Sequence, residues 1–198
     1  KMNRLFILPL FLIFYSSRFN IAYSLSPDVF IQSTVNRASE VLSKNLSKEE
    51  KMSQLKIIAQ DTVDIKGIGF YSLGPKRKTL NDNQLNMYTE LFEKYFLKSF
   101  SSRLSEYTNP EIEVKDQEVL NKNYTIVNSI LVGTSERPEV KIDWRVYTKN
   151  QNNPLIRDLI IEGLSLARTQ KEEFSSILNS NDNDINALFK TLEEFYKR

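Results

Sequence analysis

The stretch from Val140 to Tyr147 reads Val-Lys-Ile-Asp-Trp-Arg-Val-Tyr and alternates apolar with polar side chains over its whole length. Successive side chains of a β-strand point to opposite faces, so this alternation predicts a strand with one buried and one polar face. Ile142, Trp144 and Val146 share the predicted buried face. Because an apolar face must be covered, the stretch predicts a sheet packed against other elements.

Three further segments around this strand also have strand patterns. In the first, Ile112 and Val114 alternate with charged residues, and the second, from Tyr124 to Val132, is more uniformly apolar. The third, from Leu155 to Ile161, is the last of the four predicted strands in chain order. The uniform run favours a strand with little solvent on either side. Short, turn-rich connections between consecutive strands indicate an antiparallel meander.

Helical patterns precede this block of strands. Pro27 begins a helix that ends near Lys44, and Ser47 with Glu50 forms a capping box for a second helix. The segment from Gly67 to Gly74 is interpreted as a hinge-like loop or a short broken helix.

The longest predicted helix is capped by Asn81 or Asp82 and terminated by Asn109-Pro110. Two more helices follow Gly163. The long helix carries one wide apolar stripe: Leu85, Tyr88, Leu91, Phe92, Tyr95, Phe96, Phe100, Leu104 and Tyr107. The predicted fold class is therefore α+β, with helices on one face of a roughly four-stranded antiparallel twisted sheet and an apolar cavity between the two layers.

Composition excludes several kinds of catalytic site. The 198 residues include no cysteine and no histidine, so a thiolate nucleophile, a Cys/His zinc site and a Ser-His-Asp triad are all excluded. The 27 basic and 25 acidic residues give a net charge of +2, which argues against a nucleic-acid-binding protein. Composition does not exclude catalysis altogether, because aspartate, glutamate, lysine and tyrosine remain, but the commonest acid/base side chain is missing.

The first 24 residues are predicted to be a signal peptide. Lys1 and Arg4 precede an apolar run from Leu5 to Tyr15, which is too short to span a membrane. We place cleavage after Ser24, leaving residues 25–198 as a single domain. That domain has 24 basic and 25 acidic residues, because the three basic residues of the leader are removed.

Three local features give only weak evidence for a function. Ser165 lacks the second glycine of a nucleophile elbow and is read as a helix cap. Asp158 and Glu162 are read as partners of backbone groups or arginine rather than as an acid/base pair. The run Lys76 to Lys78 either meets lipid phosphate or an acidic partner, or is a solvated loop.

The sequence resembles the periplasmic phospholipid-binding MlaC family, also called the toluene-tolerance or ABC-transporter auxiliary family. The resemblance rests on Val140 to Tyr147, on Ile156 to Leu166 with its Glu-Gly-Leu-Ser-Leu ending, and on the Phe-rich helix from Phe92 to Tyr107. It departs at Pro154, where family members often carry tryptophan nearby.

This resemblance implies a non-catalytic carrier in the periplasm that moves phospholipid between an outer-membrane lipoprotein complex and an inner-membrane ABC transporter complex, with transient membrane contact. The resemblance also implies a protein that is not an enzyme, with no catalytic residues, no metal and no cofactor. The alternative is a periplasmic protein-interaction module or lipoprotein chaperone. The side chains expected to line the lipid pocket are those on the facing apolar stripes: Phe92, Tyr95, Phe96, Phe100, Val127, Leu131, Ile142, Trp144, Val146 and Ile161.

Overall fold

The structure is a computed structural model that describes residues 25–197. The predicted signal peptide lies outside the described residues. The helices are α1 (Pro27–Ser43), α2 (Lys48–Thr62), α3 (Ile65–Leu73), a 3₁₀ helix (Gly74–Thr79), α4 (Asp82–Leu104), α5 (Leu166–Asn179) and α6 (Ile185–Lys197). The strands are β1 (Ile112–Asn121), β2 (Tyr124–Leu131), β3 (Val140–Tyr147), β4 (Leu155–Ile161) and β5 (Leu164–Ser165).

The predicted fold class is confirmed, with one additional short strand. All strands are antiparallel to their neighbours and follow chain order from β1 to β5. The fifth strand has two residues, Leu164 and Ser165, and pairs with the end of β4. A two-residue strand is too short to produce an alternating pattern, which is why the sequence predicts about four strands.

Several helix ends lie where the capping residues place them. The Ser47 hydroxyl accepts from the Glu50 backbone N–H while the Glu50 carboxylate accepts from the Ser47 N–H. Asn81 caps α4 through a second capping box, with Gln84. The helix ends at Leu104, one turn before the predicted stop.

The glycine-rich segment forms a short helix rather than a loop. Gly67 and Gly69 both lie inside α3, and Gly74 ends it with a positive φ of 58°. A Cβ on Gly69 would lie 2.7 Å from the Phe92 ring, so this glycine lets α3 approach α4 closely. The interpretation as a backbone hinge is therefore wrong, and the short-helix alternative is confirmed.

The helices cover one face of the sheet. Buried side chains of β2, β3 and β4 belong to the same hydrophobic cluster as buried side chains of α1, α3, α4, α5 and α6. A second, smaller cluster packs α1 on α2 through Val41, Leu42, Leu55 and Ile58. The main core therefore lies between the sheet and the helical layer.

Candidate functional site

The predicted strand residues lie together on the inner face of the sheet. Val127 of β2 lies opposite Trp144 of β3, and Ile142 of β3 lies opposite Ile161 of β4. Directly opposed residues in antiparallel strands point to the same face. Val127 is fully buried, and Ile142 and Trp144 are 8% exposed. The alternation in β3 thus places these side chains as the sequence predicts.

The predicted helix residues form a ladder of aromatic rings on α4. The Phe92 ring centroid lies 6.2 Å from that of Tyr95 and 6.1 Å from that of Phe96, and the Phe96 and Phe100 rings stack at 5.7 Å. Spacings of three and four residues place side chains on one helix face, which is how the sequence produces the ladder. Phe92 is buried, whereas Tyr95, Phe96 and Phe100 are half-buried against the main core.

Two aromatic residues of the last helices extend the ladder. The Phe174 ring of α5 meets Phe92 edge-on at 6.1 Å, and the Phe195 ring of α6 lies 4.8 Å from Tyr95. Neither was predicted as a site residue. Each lies on an apolar stripe of its own helix, but only the three-dimensional packing shows that the stripes of α5 and α6 converge on α4.

A buried pair of polar side chains interrupts the apolar inner face. The Trp144 indole N–H donates to the Ser129 hydroxyl at 2.8 Å, and that hydroxyl donates to the Ile142 carbonyl at 2.8 Å. Ser129 is 1% exposed, so a missing bond would leave a polar group unsatisfied in the core. The two bonds fix the orientation of the indole.

Tyr95 carries the polar group at the edge of the ladder. Its hydroxyl donates to the Gln170 side-chain oxygen at 2.8 Å. Burial raises the pKa of this phenol, and the Glu173 carboxylate adds to the shift. The hydroxyl therefore stays protonated and remains a donor at the boundary between the apolar interface and solvent.

The structure brings together most of the predicted lipid-lining residues. Nine of the ten belong to the main hydrophobic cluster or pack against it: Phe92, Tyr95, Phe96, Phe100, Val127, Leu131, Ile142, Trp144 and Val146. Ile161 lies in register with Ile142 but is only half-buried and stands apart from the cluster. Leu159 of β4, opposite Trp144, packs against the cluster and was not predicted. A bulge between Arg145 and Val146 shifts only the start of β4, where Ile156 lies opposite Val146 and joins the core.

The predicted apolar cavity stays a prediction. In the structure the buried side chains of the two layers pack against one another. Two pockets open elsewhere, one of about 610 Å³ and one of about 410 Å³, and neither is lined by any of the ten predicted residues. The larger lies between α3 and α5 and is lined by polar side chains together with Tyr71.

The acid residues near the glycine-serine motif have structural partners. Asp158 is 3% exposed and accepts from the Ser165 hydroxyl at 2.6 Å and the Ala167 N–H at 2.9 Å, with Arg145 at 3.6 Å. Glu162 accepts from the Lys141 N–H at 2.5 Å. The Ser165 hydroxyl accepts from the Arg168 N–H and so caps α5. These contacts agree with the structural interpretation of all three side chains.

Two further properties concern residues 25–197. Within that range, no group of three or more acidic side chains is arranged to hold a metal ion. No helix there combines the length and the apolar character needed to cross a bilayer.

These features define an α+β protein in which a helical layer packs on an open antiparallel meander, with a ladder of aromatic rings between the two layers. A family model described as MlaC protein matches residues 32–194. The chain therefore belongs to the MlaC family. No match is found among curated proteins.

A solved structure supports the same fold. The chain is similar to the phospholipid-binding protein from Ralstonia solanacearum, solved in complex with a phospholipid, with a TM-score of 0.72. The two sequences are 16% identical, and the match covers 86% of this chain and 96% of the other. At this identity the likeness concerns the fold.

Proposed function

We propose that this protein is a periplasmic, non-catalytic phospholipid carrier that moves lipid between the outer membrane and an inner-membrane ABC transporter complex. Membership of the MlaC family carries the proposal. The phospholipid held by the similar Ralstonia protein and the apolar interface between sheet and helices also support it.

The physical task of such a carrier fits an apolar interface. Exposing an acyl chain of about 16 carbons to water costs about 12 kcal/mol, at about 0.8 kcal/mol for each methylene. An unshielded phospholipid therefore does not diffuse between membranes at a useful rate. A carrier needs only to provide an environment as apolar as the bilayer, and it performs no covalent step.

On this proposal the acyl chains lie between α4 and the inner face of the sheet. The half-buried rings of Tyr95, Phe96 and Phe100 border that interface, so they lose less packing when the two layers separate than the fully buried Val127 of the sheet does. The headgroup then lies toward the polar boundary near Tyr95 and Gln170. We propose that the ten predicted lining residues contribute to the lipid-binding interface.

Lipid extraction provides the direct test. The protein is expressed so that it is exported, and it is then purified and extracted with organic solvent. The extract is analysed by mass spectrometry. We expect phospholipid bound to the protein. A protein free of lipid that also takes up none from liposomes contradicts the carrier proposal, and a co-purified protein partner instead of lipid favours the interaction-module alternative.

Two variants on the same helix test the site. Phe100→Asn places an amide in the ladder, and we expect phospholipid per protein to fall several-fold. Met87→Asn is the control, because Met87 is 51% exposed. Equal lipid content in the two variants, with both folded by circular dichroism, contradicts the placement of lipid along α4.

A further inference from the structure

Basic side chains are distributed over the surface along which α3 and the 3₁₀ helix lie beside α5, from Arg168 near the start of α5 to Lys76 beside Asn183 just past its end. We call it the basic face. It consists of three cations of the 3₁₀ helix and two of α5: Lys76, Arg77, Lys78, Arg168 and Lys171. A Cβ on Gly74, the first residue of the 3₁₀ helix, would lie 3.2 Å from the Lys171 side chain, which shows how closely the two elements approach.

None of the five cations is neutralised by an acid among residues 25–197. The ion pairs formed by that part of the chain involve other lysines and arginines. Lys76 donates to the Asn183 carbonyl, which satisfies its ammonium without cancelling its charge. Glu172 is the one acid among the side chains that line the neighbouring pocket. The basic face therefore has an excess of positive charge.

Aromatic rings hold two of these cations at the surface. The Arg77 guanidinium lies 5.2 Å from the centre of the Phe70 ring, and the Lys171 ammonium lies 5.1 Å from that of Tyr71. Such contacts restrict a long side chain while leaving its charge free to meet an anion. The positive charge is thus positioned before any partner arrives.

The surface around the cations is suited to a lipid interface. The 610 Å³ pocket is lined by Arg168 and Lys171 and by the hydroxyls of Ser175, Ser176 and Ser180, groups that donate to phosphate oxygens. Tyr71, at its rim, is 45% exposed. An exposed tyrosine with an apolar ring and a polar tip is typical of the boundary between headgroups and acyl chains. Leu164 of β5 is 59% exposed, and Leu166, the first residue of α5, is 37% exposed.

We infer that the basic face docks the protein on the surface of a membrane that contains anionic phospholipid, with a headgroup phosphate seated between Arg168 and Lys171. The inference rests on the proposed carrier function and adds the surface by which the carrier reaches a bilayer. Residues 25–198 carry 24 basic and 25 acidic residues, so net charge gives no attraction to an anionic membrane. Attraction then comes from the basic face.

Vesicle sedimentation tests the inference with a matched pair of variants. The first variant is Arg77→Gln with Lys78→Gln and Arg168→Gln. The control is Arg103→Gln with Lys122→Gln and Lys149→Gln, which removes the same total charge from exposed cations outside the basic face.

We expect the native protein to sediment with phosphatidylcholine vesicles that contain phosphatidylglycerol. With pure phosphatidylcholine vesicles we expect it to remain in the supernatant. At about a fivefold loss for each cation, the first variant binds about 100-fold more weakly than the native protein. The control changes binding by less than about threefold, and salt near 1 M abolishes the difference because it screens exposed charges.

Four results overturn the inference: equal losses in the two variants, no loss in the first variant, equal binding to both kinds of vesicle, or retention on an acidic polypeptide without binding to vesicles. The last result assigns the basic face to an acidic protein instead. Phospholipid content is measured on the same preparations. Lipid-free protein that also takes up no lipid from liposomes contradicts the carrier function, whereas lipid-loaded protein that does not bind anionic vesicles contradicts only the docking surface.

Discussion

Asp158 connects the last long strand to the helix that follows it. Its carboxylate accepts hydrogen bonds from the Ser165 hydroxyl and the Ala167 N–H, and it lies almost out of reach of water. A carboxylate with two donors and a nearby arginine is well satisfied, but each of these donors depends on it. This buried acid therefore fixes the start of α5.

Asp158→Asn tests that role. The amide keeps one acceptor oxygen and presents an NH₂ group to one of the two donors, so we expect a loss of about 2 to 3 kcal/mol in the free energy of unfolding. For a chain of this size that corresponds to a decrease of roughly 5–10 °C in Tm, measured by calorimetry. Asp61→Asn, at an exposed ion pair with Arg37, is the control and changes stability by less than about 1 kcal/mol. Equal effects of the two changes contradict the role of Asp158.

Tyr88 is another buried polar side chain with a defined partner. Its hydroxyl donates to the Gly69 carbonyl at 2.7 Å and so joins α4 to α3. Burial raises the pKa of this phenol far above its ordinary value, with a smaller contribution from Tyr95. Because the folded-state pKa is raised, the stabilisation is complete below the unfolded pKa of about 10 and is lost as pH rises above it.

Tyr88→Phe is expected to have two effects. At pH 7 it removes one hydrogen bond and lowers the free energy of unfolding by about 1 kcal/mol. Above pH 10 the variant loses stability less steeply than the native protein, because it has no phenol to ionise at this position. Urea unfolding at pH 7, 9 and 11 measures both effects, with Tyr71→Phe at an exposed position as control. Parallel pH profiles for native and Tyr88→Phe protein contradict the assignment.

At the scale of elements, α3 is held to the sheet by one acidic residue with two partners. Asp64 caps α3 by accepting from the Gly67 N–H at 2.9 Å, and its other oxygen accepts from Arg157 Nε of β4 at 2.6 Å. The Arg157 guanidinium also donates to the Tyr124 hydroxyl and stacks 3.9 Å from the Tyr147 ring centre. Burial lowers the pKa of Arg157, but its bonds to Asp64 and Tyr124 outweigh burial and raise it overall.

Comparing two helix caps tests the value of this link. Ser47→Ala removes the cap of α2 and is expected to cost about 1 kcal/mol. Asp64→Ala removes a cap and also leaves Arg157 without its acid, so we expect about 2 kcal/mol and faster amide exchange across α3. Hydrogen exchange followed by mass spectrometry locates the change. If the two substitutions cost the same and exchange in α3 is unchanged, the ion pair contributes nothing.

Elements with a local signal could be predicted from the sequence. The bounds of β3 and β4 follow from alternation and flanking turns, and the starts of α2 and α4 follow from their capping residues. α3 could not be predicted with the same certainty, because glycine is unfavourable inside a helix by its local preference. The glycine at position 69 is explained by the packing of α4 against it, which is a contact between distant parts of the chain that local sequence does not show.

The candidate site could be predicted as a set of faces but not as a cavity. Periodicity identifies which side chains of β3 and α4 point inward, and nine of the ten predicted residues lie in or against the core. The same period cannot distinguish a side chain that touches lipid from one that touches another side chain. It also cannot locate the bulge that places Ile156, rather than Arg157, opposite Val146 and so brings Ile156 into the core.

At the scale of the whole molecule, the core and the proposed lipid site occupy the same interface. The main cluster contains residues of β2, β3, α4 and α5. On the proposed function, loading of lipid there separates contacts between the layers and replaces them with contacts to acyl chains. The proposal therefore couples lipid binding to folding stability through one set of side chains.

Removing cargo is expected to lower thermal stability. If the folded protein binds lipid and the unfolded chain does not, lipid at 100 times its Kd stabilises the fold by about 2.7 kcal/mol, which raises Tm by roughly 5–10 °C. Calorimetry of native, delipidated and reloaded protein measures the shift. The Phe100→Asn variant shows a smaller shift than Met87→Asn, and identical Tm values for loaded and delipidated native protein contradict the shared interface.

The hydrogen-bonded indole on the inner face of the sheet has an optical consequence. The chain contains one tryptophan, and Trp144 is 8% exposed and oriented by its bond to Ser129. Indole emission depends on the polarity and packing of its surroundings, so all tryptophan fluorescence of the protein originates at the interface proposed for cargo. Trp144 is thus an intrinsic fluorescent probe, and on the proposed function the binding and release of lipid change its emission in real time on the unmodified chain.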